Sequence, residues 1–323
     1  MYIISFENIS KKFPDGTLAI NNVSVTIPTN KLTAVIGPSG CGKTTLMKMI
    51  NRLETPTEGE IFIDEEPISE KDPVVLRRSI GYVIQQIGLL PHMTIAENIA
   101  LVPELLKWNK KKVDSRVEDL LELVDLDPST FKDRYPLELS GGQQQRVGVS
   151  RALASNPNII LMDEPFSALD PISREQLQGE LKELQKKIQK TIVFVTHDMD
   201  EALDIADNII VMREGQIEQI ASPADLLANQ VNEFVREFIG IERIEQKRKF
   251  SMKQLKEFQA IFDKETSKRV QSVPSTMTTK QATNLLKKDD TIHLEVMEDG
   301  RVLGYLGYHT LLEAAIKGGK VHE

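Results

Sequence analysis

"LTAVIGPSGCGKTTLMKMINRL", residues 32 to 53, runs from an apolar strand-like segment through a glycine-rich loop into a helical pattern. The loop "GPSGCGKT" fits G-x-x-x-x-G-K-[ST], and the strand-loop-helix context is the check that this motif requires. Gly37, Gly40 and Gly42 lack a Cβ, so the backbone can fold closely around a phosphate with its N–H groups pointing inward. The helix that follows adds its positive N-terminal end. Lys43 supplies a mobile positive charge for β and γ phosphates, and the Thr44 hydroxyl is placed to ligate Mg²⁺. Cys41 reads as a small loop filler, although a nearby lysine and helix N-terminus are able to lower a thiol pKa.

Outward from this loop, β-branched runs alternate with helical patterns. "NKLTAVIG" (30 to 37), "SIGYVIQ" (79 to 85), "NIILMD" (158 to 163), "TIVFVTH" (191 to 197) and "NIIVMR" (208 to 213) read as short buried strands, with helix-like segments such as 171 to 189 between them. That order predicts a largely parallel α/β sheet. "YIISFENIS" and "INNVSVTIP" alternate without a helix between them, which predicts a small antiparallel β-layer at the N-terminus. Residues 95 to 155 carry no convincing strand and read as a helical insertion.

The strand ends supply the remaining chemistry. "IILMDEP" places Asp163 where it would hold the hydration shell of Mg²⁺, and Glu164 where it would orient and polarise an attacking water. An isolated Asp-Glu pair would be a solvated strand end, but the apolar run before it and Pro165 after it favour the functional reading. His197 closes a neighbouring strand at the same crevice, where it would hydrogen-bond a γ-phosphate. Gln85 has the same edge placement and would ligate Mg²⁺ or water through its carbonyl oxygen. A second glycine loop lies at 137 to 147, "LELSGGQQQRV". Ser140 is a good N-cap, Gly141 and Gly142 permit close approach, and the helix that follows aims another N-terminus at an anion. One loop already encloses one side of a triphosphate, so the second would cover the γ-phosphate from the opposite side.

Composition narrows the class. The 323 residues carry 48 acidic against 40 basic side chains, a net charge of −8, which is no electrostatic footprint for nucleic acid. The apolar runs fall well short of the about 20 residues that a spanning helix needs, and the N-terminus lacks a signal-peptide pattern, so neither membrane insertion nor export is expected. A single cysteine allows no internal disulfide and fits a reducing cytosol.

"LSGGQ" beside the phosphate loop, "DEP", "SALD" (167 to 170) and "THD" (196 to 198) together resemble the ATP-binding subunits of ABC transporters over roughly residues 1 to 240. The resemblance implies an α/β P-loop NTPase of ABC ATPase type. It further implies a homodimer paired head to tail, in which Leu139, Ser140, Gly141, Gly142 and Gln143 serve the partner's nucleotide. ATP would lie along Gly37, Pro38, Ser39, Gly40, Cys41, Gly42, Lys43, Thr44 and Thr45, with Mg²⁺ held by Thr44, Gln85 and, through water, Asp163. Ser167, Ala168, Leu169 and Asp170 would form the dimer loop. Phe13 would stack on adenine, whereas without the family it reads as a core aromatic. "FPDGTLAINNVS", "GYVIQQIGLLPHMTIAENI" and "LMDEPFSALDPISREQLQ" are similar to importer subunits for quaternary-amine osmoprotectants: glycine betaine, carnitine or choline. That implies a membrane permease at the cytoplasmic face, with Gln85 to Ile99 suited to receive its helix or to pack in the core. It also implies a solute-binding protein or domain that is extracellular, lipid-anchored or fused to the permease. An importer for amino acids, metals or sugars, or a soluble ABC ATPase, are the alternatives. Trp108 reads as a packing or helix-surface residue.

After Gly240 the texture changes. Residues 241 to 262 read as a charged linker or helix that includes Lys247, Arg248 and Lys249. Residues 263 to 323 read as helix (278 to 288), two strands joined around Asp299-Gly300, and a closing helix. This order resembles a single CBS module of α+β type, which implies regulation by ionic strength or an adenine nucleotide.

Overall fold

The computed structural model describes residues 4–84, 88–167, 169–240, 269–274, 277, 282, 285–286, 292–298, 301–308 and 310. The chain divides into two compact units, Met1–Pro223 and Ala224–Glu323.

In the first unit β1 (Ile4–Lys12) and β2 (Leu18–Ile27) pair antiparallel, then β3 (Leu32–Ile36) leads into α1 (Lys43–Ile50). β4 (Glu58–Ile63) and β5 (Glu66–Pro67) complete a four-stranded antiparallel sheet in the order β2-β1-β4-β5. α2 (Pro73–Ser79) precedes β6 (Ile80–Val83), and a helical region follows: α3 (Ile95–Leu105), α4 (Lys110–Leu123), α5 (Pro128–Phe131) and α6 (Gly141–Leu153). The chain returns through β7 (Ile159–Asp163), α7 (Pro171–Ile188), β8 (Thr191–Val195), α8 (Met199–Ile205), β9 (Asn208–Arg213) and β10 (Gln216–Ala221).

The second sheet has six strands in the order β10-β9-β3-β8-β7-β6 and is parallel except for the β9/β10 hairpin. All five residues of β3, β7 and β8 are buried, as expected of parallel strands covered on both faces. Alternate residues Ile159, Leu161, Val193, Val195 and Ile210 join Met47 and Ile50 of α1 and the inner residues of β1 and β2 in one core. Register fixes the site. Val35 stands opposite Val195, and Val195 stands opposite Asp163. The phosphate loop after β3, the carboxylates after β7 and the residues after β8 therefore leave the sheet at one level.

The expected strands, antiparallel layer and helical region are all present. The short β4–β5 pair and β10 were not foreseen. Among the described residues no helix is long and apolar enough to cross a membrane.

Around the boundary lies α9 (Pro223–Ala228), followed in the second unit by α10 (Glu233–Ile239). β11 (Arg269–Pro274) pairs parallel with β12 (Ile292–Glu298), which pairs antiparallel with β13 (Arg301–Leu306). Ile292, Leu294 and Val296 alternate into a small core with Val273, Ala282, Leu286 and Leu306. The two strands anticipated from sequence are there, and β11 is an addition. Asp299-Gly300 and residues 241 to 262 lie outside the described residues. Ala282, Leu285 and Leu286 are helical within the predicted 278–288 segment, as are Tyr308 and Thr310 at the start of the predicted closing helix.

Candidate functional site

The phosphate loop is braced from three sides. Gly37 has φ +154°, and a Cβ there would lie 2.2 Å from the Met212 carbonyl oxygen; at Gly42, φ +104°, it would lie 2.4 Å from that of Ala19. Both positions combine positive φ with close backbone approach, so only glycine fits. Gly215, in the β9–β10 turn, donates its N–H to the Cys41 carbonyl at 3.1 Å and accepts from Asn21 N–H at 2.9 Å. Pro38, Ser39 and Gly40 form the exposed outer curve, while Cys41 is buried and burial pushes its thiol pKa up, against the possibility of an activated thiol. Gly42 gives α1 no side-chain cap, which leaves the helix N-terminus to an anion. Lys43 is buried and donates from Nζ to the carbonyls of Gly37 at 2.8 Å and Pro38 at 2.9 Å. Thr45 follows it, half-buried in the first turn.

One hydrogen bond joins this loop to the opposite strand: Thr44 Oγ1 donates to Asp163 Oδ1 at 3.0 Å, across 119 residues. Burial holds the Asp163 carboxyl above its ordinary pKa, opposed by the Thr44 hydrogen bond and the charges of Lys48 and Lys43. Glu164 solves the problem that successive strand residues face opposite ways. Its backbone enters the left-handed region at φ +44°, with its N–H donating to the Val195 carbonyl at 3.0 Å. The carboxylate thereby stands 3.3 Å from His197 Nδ1, and the His197 ring is largely exposed. Gln85 lies outside the described residues.

These groups fit a hydrated divalent cation. The site offers hard oxygen donors, the Thr44 hydroxyl and the Asp163 carboxylate, and no group of three or more His, Cys, Asp or Glu able to hold a metal exists among the described residues. Phosphate and water would have to complete the shell, as they do for Mg²⁺. The site is an open edge. A cavity of about 640 Å³ lies elsewhere, between α6 and α7.

The second glycine loop caps α6. Ser140 Oγ accepts from Gln143 N–H at 3.3 Å and Gln143 Oε1 accepts from Ser140 N–H at 2.9 Å, while Gln144 Nε2 donates to the carbonyl of the buried Leu139. A Cβ on Gly141 would meet Leu169 Cδ2 at 3.9 Å, and one on Gly142 would meet Leu177 and Ser173 at 3.9 Å. These are ordinary contacts, so the chain's own packing does not require glycine there. Ser167 Oγ donates to the Glu164 carbonyl at 3.0 Å, and Asp170 caps α7 by accepting from Ser173 N–H at 3.1 Å. Leu169 is buried, and Ala168 lies outside the described residues.

Phe13 sits in the β1–β2 connection, half-buried, with Lys11 Nζ 5.1 Å from its ring centroid. It is not a core aromatic. Trp108 lies in the connection between α3 and α4, half-buried, with Lys112 Nζ 3.6 Å from its ring centroid. Ile95 and Ile99 are wholly buried, whereas residues 88 to 90 are half-buried and 91 to 92 exposed, so the described part of this region, 88 to 99, divides between core and surface. The contacts of Gly215 with Cys41 and of Arg174 with Glu201 were not foreseen, because each joins residues distant in sequence.

A phosphate loop, a carboxylate level with it and an uncapped helix N-terminus define a nucleotide-binding P-loop protein. The ABC transporter family matches residues 20–167. The choline transport ATP-binding protein OpuBA of Bacillus subtilis (strain 168) is 50% identical over 322 residues, 99% of this chain and 82% of that protein. The carnitine transport ATP-binding protein OpuCA of Listeria monocytogenes is 59% identical over 242 residues, 75% of this chain and 61% of its own length, so the match spans less than two thirds of that relative. A dimeric ATP-binding cassette solved in a post-hydrolysis state with ADP and Pi is 36% identical with a TM-score of 0.61, covering 68% of this chain and 98% of the other. The chain belongs to the ATP-binding proteins of the ABC transporter family, and its first unit is an ATP-binding domain of that type.

Proposed function

We propose that this chain is the ATP-hydrolysing subunit of an importer for a quaternary-amine compatible solute such as glycine betaine, carnitine or choline. The Thr44–Asp163 hydrogen bond carries the reading, since it draws the phosphate loop and the strand-end carboxylate to one point. The solute assignment is supported by the relatives named for choline and carnitine transport.

Gly37 to Thr45 cradle the triphosphate of ATP, and Lys43 leaves its loop carbonyls for the β and γ phosphates. Thr44 and Asp163, with Gln85, would hold Mg²⁺, which neutralises charge on the phosphates. Glu164 takes a proton from water as the water oxygen bonds the γ-phosphorus and the bridging bond to the β-phosphate breaks, releasing ADP, while His197, 3.3 Å from Glu164, hydrogen-bonds the γ-phosphate and keeps that carboxylate directed. The two subunits of a homodimer pair head to tail. Leu139 to Gln143 then close the partner's nucleotide through the exposed end of α6, Ser167 to Asp170 line the dimer contact, and Phe13 stacks on adenine. A permease holds the dimer at the cytoplasmic face, and a separate or fused solute-binding domain captures the cargo. The ATPase domain is assigned to residues 1–240, the linker to 241–262 and a CBS-like regulatory module, open to an adenine nucleotide, to 263–323.

Glu164→Gln tests the chemistry. It retains ATP binding, traps the dimer and lowers turnover by about 10² to 10⁴-fold, the range for loss of a general base. Steady-state hydrolysis at the parental rate would refute the assignment.

A further inference from the structure

We propose that Arg174 is a positioning residue that ties the Ser167–Asp170 loop to the segment presenting His197. The inference rests on the proposed roles of Glu164 and His197. Arg174 lies in the first turn of α7 and donates from Nη2 to the Leu169 carbonyl at 3.2 Å. Its Nη1 stands 3.8 Å from Asp198 Oδ2 and its Nε 3.9 Å from Glu201 Oε1.

Those two carboxylates fix the residues that flank His197. Glu201 is buried and accepts the Thr196 hydroxyl, and that hydroxyl accepts from Asp198 N–H at 3.0 Å. Asp198 Oδ1 accepts from the N–H groups of Asp200 at 2.8 Å and Glu201 at 3.4 Å, which opens α8. On the other side, Ser167 bonds the Glu164 carbonyl. One guanidinium therefore spans the loop that leaves Glu164 and the loop that carries its imidazole partner.

The buried Nε makes no hydrogen bond among the described residues. Because it stands beyond hydrogen-bond range of Glu201, a movement of roughly 1 Å converts the ion pair into a charge-assisted hydrogen bond. Displacement of the Leu169 loop is thereby transmitted to Thr196 and Asp198, and so to His197. Burial holds the Glu201 pKa up, opposed first by the Thr196 hydrogen bond and then by the Arg174 charge.

Steady-state ATP hydrolysis by the full-length protein tests this with Arg174→Met, Arg174→Lys, His197→Ala and the Arg174→Met/His197→Ala double variant. Arg174→Met lowers kcat about 10 to 100-fold, the scale of a 1 Å misplacement, while KM for ATP changes by less than about twofold. Arg174→Lys recovers part of the loss, because it keeps the charge and loses the fork to Leu169. In the His197→Ala background Arg174→Met costs little more, since both act through one group. Losses that multiply in the double variant, or a raised KM at unchanged kcat, overturn the inference. So does parental kcat in Arg174→Met when His197→Ala is impaired; parental kcat in His197→Ala overturns the reading beneath it. If Arg174→Met does not fold, Arg174→Lys and Glu201→Gln decide by the same split between kcat and KM.

Discussion

Glu164 is held in a conformation that side chains rarely adopt, at a general cost of about 1 to 3 kcal/mol that surrounding contacts must offset. Its N–H bond to Val195 and the Ser167 contacts to its carbonyl supply those constraints. The result is two adjacent carboxylates that lie at one edge. Tyr82 of β6 records the electrostatics behind that edge. Burial, and then the negative charge of Asp163, push its phenol from 10.0 to about 12. The sign follows from proton binding. Between these values the unfolded chain has released the proton and the folded chain retains it, so stability falls as pH rises through that window, by up to about 1.4 kcal/mol per pH unit. Tyr82→Phe removes this contribution. Denaturant melts between pH 9 and 12 should show the variant losing less stability than the parent, and parallel pH profiles would refute the assignment.

Two helices begin with the same device, and comparison of them separates packing from function. Thr94 and Glu97 form a capping box on α3, and Ser140 and Gln143 form one on α6. Loss of either cap hydroxyl by substitution with alanine costs about 1 kcal/mol of stability. Thr94→Ala, its hydroxyl far in sequence from the glycine loop, leaves ATP turnover near the parental rate, whereas Ser140→Ala lowers it about tenfold or more, a loss of roughly 1.4 kcal/mol or more. Thermal melts beside ATPase assays check both, and equal loss of activity would remove the special role of the α6 terminus. Elements whose signal is local were legible in sequence. β3, β7 and β8 are continuous apolar runs, and the phosphate loop states its own chemistry. β10 was hidden because Gln216–Ala221 interleaves polar with apolar residues and has a single buried position, so no apolar run marks it. Gly215 and Arg174 were illegible as site-bracing residues for a different reason: their partners Cys41 and Glu201 lie on other elements, and no spacing rule connects them.

At the scale of the whole molecule, the glycine loops follow different structural logic. Gly37 and Gly42 are required by backbone within this chain, and Gly141 and Gly142 are not. That asymmetry supports the α6 loop as a surface for a second copy. Mixed inactive Ser140→Arg and Lys43→Ala chains should therefore recover hydrolysis through one intact composite site per heterodimer. No recovery, with heterodimer formation demonstrated, would count against the head-to-tail arrangement. The second compact unit carries the last expectation. Its sheet β11-β12-β13 has a core separate from that of the ATPase strands, so removal of residues 263 to 323 should leave basal ATP hydrolysis within about twofold of the parent, a difference near 0.4 kcal/mol. Control is another matter. Lys247, Arg248 and Lys249, outside the described residues, concentrate three positive charges just before this module. An attraction of these charges to anionic lipid would weaken as the screening length falls below about 10 Å above 0.1 M salt. Transport by vesicle-reconstituted full-length complex should consequently change with internal salt or added adenine nucleotide, and the truncated complex should lose that response. Identical salt and nucleotide profiles for the two complexes would remove the regulatory role and leave residues 263 to 323 as a structural appendage.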